Sequence, residues 1–192
     1  MSFEILLTIL MGIGLSAASG FRIFIPFLVI SIASLTGNLT LADSFSWIGT
    51  YPALVTFGVA TVLEIVGYYI PWVDNILDTI TSPMAVIAGA ILMASVVTDI
   101  SPLFKWTLAI IAGGGIAGTI QALTGVTRVA SSVTTGGLGN PAVSTVESGS
   151  SLTLSAFAIF IPVIAAIVVI ALLVWATKTL VNRFTAKSKI SS

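Results

Sequence analysis

The sequence has no cysteine and no histidine, and charged residues fill only 7% of its 192 positions. Without cysteine there are no disulfides and no thiolate chemistry. Without histidine as well, ordinary zinc sites, haem ligation by either residue and an imidazole proton shuttle are excluded. The scarcity of charge argues against a soluble domain, in which about a quarter of residues are charged. Seven basic residues balance seven acidic ones, so no global field draws nucleic acid. What the chain has instead is apolar: 57% of it is hydrophobic, with a mean hydropathy of +1.16. A soluble fold of this length cannot hide so much apolar surface, whereas lipid acts as its solvent. Spanning segments in lipid are helices or closed barrels. The stretch 155–176 is apolar on every face instead of alternating as a barrel strand does, so an all-α polytopic membrane protein is expected.

Residues 3–35 form one apolar run interrupted by Gly20, Arg22 and Pro26. As one straight helix it would be roughly 50 Å long against a hydrocarbon core of about 30 Å. It is therefore either a long tilted or kinked helix, or two short segments meeting at Ser19-Gly20. The first 19 residues lack the basic stretch of a cleavable signal, and Glu4 is the early charge, so this segment is expected to stay in the membrane. A polar loop follows at 36–50, with Trp47 and Tyr51 suited to the lipid interface. Further spans are expected at 52–70, 83–98, 106–123 and 153–177. Pro71 breaks the chain before a short amphipathic turn carrying Asp74 and Asp78, and the polar stretch 124–152 reads as an external segment. The count is five spans, or six if 3–35 is a hairpin, with broken or re-entrant pieces. Residues 1–177 make a single transmembrane domain, and 178–192 make a basic tail. Lys178, Arg183, Lys187 and Lys189 place that tail in the cytoplasm, with Lys105 on the same side.

The two halves, 1–100 and 101–177, echo each other. Ser19-Gly20 precedes Arg22, and Thr124-Gly125 precedes Arg128. Pro71-Trp72-Val73-Asp74 finds a counterpart in Pro141-Ala142-Val143-Ser144, followed by Asp78 and Glu147 respectively. Three spans in the first half would make the second copy inverted, the architecture of many secondary transporters. The depth of the echo is also within reach of chance in glycine-rich apolar sequence.

Charges at membrane depth cost several kcal/mol unless paired or hydrated, which makes them the best functional pointers. The candidates are Arg22, Glu64, Asp74, Asp78, Arg128 and Glu147. Four acids against two bases would let a shared cavity hold a cation or accept a proton. The structural alternative pairs Arg22 and Arg128 with Glu64 and Glu147 as helix clamps and leaves Asp74 and Asp78 in headgroup water. Residues 134–141, rich in glycine and hydroxyls and containing Asn140, are either a re-entrant loop lining a cavity or an ordinary external loop. They lack the Gly-Lys-Ser/Thr ending of a nucleotide loop. Gly114 and Gly118, with Gly113 and Gly115 beside them, suit close helix packing. No histidine activates a serine, no Gly-x-Ser-x-Gly elbow occurs, and Asp74 and Asp78 share one segment where an intramembrane aspartyl protease needs two spans, so no enzyme is expected.

Three groups of residues carry a family resemblance over nearly the whole chain. They are Ser19, Gly20, Phe21, Arg22 and Pro26; then Leu63, Glu64 and Ile65 with Pro71, Val73, Asp74, Asn75, Leu77, Asp78 and Pro83; then Gly137, Leu138, Gly139, Asn140, Pro141 and Glu147. In these the chain resembles the bacterial membrane family known as domain of unknown function 4126. One departure is Ser148, where an acid often follows the glutamate in that family. The resemblance implies a membrane fold and this set of residues, Asn75 and Asn140 included, and leaves the activity open. The residues themselves suggest a small transporter or channel for an ion or small polar solute, with a non-transporting scaffold or assembly factor as the alternative. No cofactor or metal is expected. The partners implied are the lipid bilayer and, because five spans is few for a lone path, a second copy of the chain.

Overall fold

A computed structural model of the chain describes residues 3–70 and 73–190, apart from the side chains at 75, 176, 177 and 179–190. Pro71, Trp72 and the side chain of Asn75 thus lie outside the described residues, as do the side chains of Arg183, Lys187 and Lys189. Among the described residues there are eight α-helices and no strand. They are α1 (Phe3–Phe21), α2 (Phe24–Leu35), α3 (Tyr51–Gly67), α4 (Val73–Val96), α5 (Pro102–Leu108), α6 (Gly115–Thr135), α7 (Asn140–Phe160) and α8 (Pro162–Ile190). A 3-10 helix, Asp43–Gly49, precedes α3, and a π segment, Ala109–Gly114, joins α5 to α6.

Among the described residues three helical stretches are long and apolar enough to cross a membrane: Phe3–Phe21, Ile76–Val96 and Pro102–Thr135. The bent pair Asp43–Gly49 and Tyr51–Gly67, turning by 66°, makes a fourth if it counts as one span. The expected five or six is therefore not reached by length and composition. Two spans expected from the sequence are divided. The run 3–35 breaks between Phe21 and Phe24, two residues beyond the expected Ser19-Gly20 joint. The stretch 153–177 breaks at Ile161, because Pro162 has no N–H to continue the ladder and its ring crowds the preceding turn.

Other expectations are corrected in the opposite direction. Residues 124–135 are not an external loop but the second half of α6, and 140–152 begin α7. Their hydroxyls suggested a loop, yet threonine satisfies itself within a helix. Thr127, Thr134 and Thr135 donate to the carbonyls of Leu123, Ala130 and Ser131, four residues back. The placement of Lys105 rested on that loop and loses its premise. Of 134–141 only a tight turn remains, with Gly136 and Gly137 at φ 65° and 89° in the left-handed region that ends a helix well. Leu138 in that turn is 88% exposed and a Cβ on either glycine would meet open space, whereas Asn140 at its end is buried. Similarly, α4 runs unbroken from Val73 through Pro83, so Asp74 and Asp78 are helical and not in a separate interfacial turn.

α1 lies at the centre and packs on α4, α6, α7 and α8. Its buried face carries Gly12, Gly14, Ser16, Ala17, Ser19 and Gly20, small enough for close approach. The large apolar side chains point outward: Val55, Val59, Val62, Leu63 and Val66 of α3 are exposed, as are Val146, Leu152 and Phe160 of α7. Polar groups turn inward, as in the buried series Asn140, Ser144, Glu147, Ser151 and Ser155 along one face of α7. Such an inside-out distribution suits lipid and not water.

The glycine packing expected near 113–118 occurs within the chain. A Cβ on Gly89 of α4 would sit 2.5 Å from Ala117 Cβ and 2.6 Å from the Gly113 carbonyl oxygen. A Cβ on Gly115 would meet open space. Gly89→Ala should therefore destabilise by about 1–3 kcal/mol through overpacking against backbone. Gly115→Ala should be neutral or stabilising, since alanine is the better helix former by about 1 kcal/mol. Thermal unfolding of the two variants in detergent checks the contrast, and equal midpoints would contradict the packing.

Candidate functional site

The break between α1 and α2 leaves backbone groups without helical partners in the protein interior, where each must be satisfied. Glu64, buried on α3, accepts from the Ile23 N–H at 2.8 Å through Oε1 and from the Phe24 N–H at 3.1 Å through Oε2. Its negative charge lies at the positive end of α2. On the other side, Ser151 of α7 donates its hydroxyl to the Ala18 carbonyl at 2.9 Å and approaches that of Arg22 at 3.5 Å. The discontinuity is thus held from both ends by residues far away in sequence.

Arg22 sits at this break and is 1% exposed. Its Nε donates to Ser148 Oγ at 3.1 Å, and its Nη2 donates to Ser144 Oγ at 2.6 Å and pairs with Glu147 Oε2 at 3.2 Å. Arg128 reaches the same carboxylate from α6. Its Nε donates to Glu147 Oε1 at 3.1 Å and its Nη2 to Oε2, while Nη1 lies 3.2 Å from Asp78 Oδ1. Both guanidinium carbons stack on the ring of Tyr68, 3.8 and 3.9 Å from its centroid. The Tyr68 hydroxyl bonds Thr81 Oγ1 at 3.0 Å, which also accepts from Gln121 Nε2 at 3.3 Å.

The structure therefore gathers Arg22, Arg128, Glu147 and Asp78 into one centre. It gives Glu64 a different task from the expected arginine clamp, because Glu64 binds backbone amides and neither arginine lies within ion-pair distance of it. Of the expected glutamate partners Glu147 pairs with both arginines. Asp74 is buried and not in headgroup water. Its Oδ2 accepts from Asn140 Nδ2 at 3.0 Å, and Asn140 also bonds Ser132. Asp78 is half-buried. No group of three or more acids placed to hold a metal ion occurs among the described residues. A recess of about 380 Å³, lined by Phe21, Thr124, Thr127, Val143 and Val146 among others, reaches Glu147 from the side.

Sequence reasoning missed Tyr68, which ends α3, and the serines 144, 148 and 151. Their spacing of four and three residues places them on one helical face with Glu147, a signal readable in a segment otherwise taken for a loop. Gln121, a polar residue inside an expected span, was equally legible. The echo between the halves brings Arg22 and Arg128 to the same carboxylate but not to the same backbone, since α1 ends beside Arg22 while α6 runs seven residues past Arg128.

Glu64→Gln keeps one acceptor oxygen but turns an amide NH2 toward the second backbone N–H. One buried donor is then left unserved, at a cost of about 1–3 kcal/mol. A lowered unfolding midpoint in detergent, compared with Glu4→Gln at the exposed start of α1, is the expected result. A midpoint equal to wild type would remove Glu64 from this role.

No match is found among curated proteins or among solved structures. A family profile described as Domain of unknown function (DUF4126) matches residues 9–182 and so takes in α2 to α7 and every residue of the charged centre. The chain belongs to that family.

Proposed function

We propose that the protein is a small transporter or channel-like protein that moves an ion or small polar solute through the charged centre at the α1–α2 break. The observation that supports this most is Arg22, Arg128, Glu147 and Asp78 assembled inside an apolar helical bundle beside a broken helix. Charged groups at such depth are costly and, in membrane proteins, commonly mark solute or proton paths. Broken helices serve the same purpose in transporters, where freed backbone groups surround the solute. The convergence of Arg22 and Arg128 on one carboxylate is in keeping with an inverted repeat. In this reading the protein resides in the bacterial inner membrane with its basic C-terminal tail in the cytoplasm, and two copies associate.

A second reading is favoured by the bidentate contact of Arg128 with Glu147. There the charges only lock helices together, and the protein is a non-transporting scaffold or assembly factor.

Charge movement separates the two. Protein in liposomes adsorbed to a solid support is challenged with a panel of cations, anions and small metabolites, beside Asp78→Asn. Asp78 is chosen because its side chain is 26% exposed and its neutralisation spares the buried Arg22–Glu147–Arg128 contacts. Transport predicts a transient that the folded variant loses. Silence across the panel from folded wild type supports the scaffold, and an unchanged transient from Asp78→Asn removes that residue from the path.

A further inference from the structure

Within the charged centre the two arginines are compensated unequally. Arg128 uses Nε and Nη2 on Glu147 and Nη1 on Asp78, so each edge of its guanidinium faces a carboxylate. Arg22 touches the same Glu147 at a single 3.2 Å contact and otherwise meets neutral serine oxygens. Its Nη1, buried in a side chain with no exposed surface, has no hydrogen-bond partner. Buried guanidinium donors are almost always satisfied, and one that is not calls for an acceptor from elsewhere.

Apart from Asp78, whose Oδ1 faces Arg128 at 3.2 Å without accepting a hydrogen bond, the acidic side chains nearby are already engaged. Both oxygens of Glu64 hold the Ile23 and Phe24 amides, Glu147 serves both arginines, and Asp74 Oδ2 accepts from Asn140. A guanidinium that shares its one ion-paired carboxylate with a second arginine and keeps a buried donor without a hydrogen-bond partner is suited to a small anion.

We propose that the centre binds a small monovalent anion, of the size of chloride, nitrate or formate, on the Nη1 edge of Arg22. The proposal rests on the transport reading and names its solute class. The ring of Tyr68 stacked on the guanidinium keeps that edge directed away from the aromatic face, and the hydroxyls of Ser144 and Ser148 hold the rest of the fork in place. Arginine suits this role because its planar fork engages several acceptors at once, which lysine, a point charge, does not.

The test is thermal unfolding of the full-length protein in detergent, titrated with sodium chloride, nitrate or formate against sodium gluconate at constant ionic strength. The expected result is a saturable rise of about 5 °C with the small anions and none with gluconate. Chloride-35 line broadening by wild type, reversed by nitrate, is the second readout. Arg22→Lys keeps the charge that Glu147 needs and removes the fork, and it should lose both effects. Glu4→Gln, at the exposed start of α1 and outside the centre, should keep them. A shift that follows the general salting series, without saturation and unchanged in Arg22→Lys, would overturn the proposal, as would the absence of nitrate-reversible broadening. Cation-driven charge movement with no anion binding would overturn this inference and leave transport standing. Anion binding in a protein silent on the supported membrane would do the reverse.

Discussion

The constraint on which the rest of the structure depends is the requirement that every backbone N–H and C=O find a partner where water is absent. At one place, between Phe21 and Phe24, the helical ladder stops inside the bundle. The freed amides of Ile23 and Phe24 take the carboxylate of Glu64, and the Ser151 hydroxyl donates to the Ala18 carbonyl, which also keeps its helical bond from the Arg22 N–H, and approaches the carbonyl of Arg22. These contacts tie α1, α2, α3 and α7 together at one point. A carboxylate is well matched to that position, since its two oxygens serve two amides and its charge meets the dipole of α2.

The same point concentrates charge. In a low-dielectric interior an arginine is tolerated only with counter-charge and hydrogen bonds close by. Glu147 supplies the charge to both Arg22 and Arg128, and Tyr68 supplies a polarisable face to both. The serine face of α7 supplies hydroxyls that bond Arg22 and the break. The arrangement inverts the pattern of a soluble bundle: the polar stripe of α7 faces α1, while valine, leucine and phenylalanine face outward. It also explains the small residues on α1, whose neighbours approach so closely that a Cβ at Gly20 would lie 2.6 Å from the Ala117 carbonyl oxygen.

Several features were legible in the sequence for physical reasons. Composition announced helices in lipid, and the scarcity of charge made Arg22, Glu64, Arg128 and Glu147 stand out. Their burial follows from the apolar segments in which they lie. The interruption of 3–35 was legible because its length exceeds a bilayer. The glycines near 113–118 were legible as a packing surface, and Gly89 and Gly113 do meet. Less legible was the stretch 124–152, where threonine and serine looked like a loop because their polarity was counted without their capacity to bond the carbonyl one turn back.

The sequence by itself determined the helical class of the protein and the sparse set of charges within it, because these depend on composition and on the length of apolar runs against the bilayer. Only the tertiary structure decided which charge meets which. Glu64 binds amides and Glu147 binds two arginines, although both are single glutamates in similar surroundings, because their partners come from segments 40 or 41 and 19 to 125 residues away. Pairings over such separations are set by how the helices cross, and no local pattern encodes that.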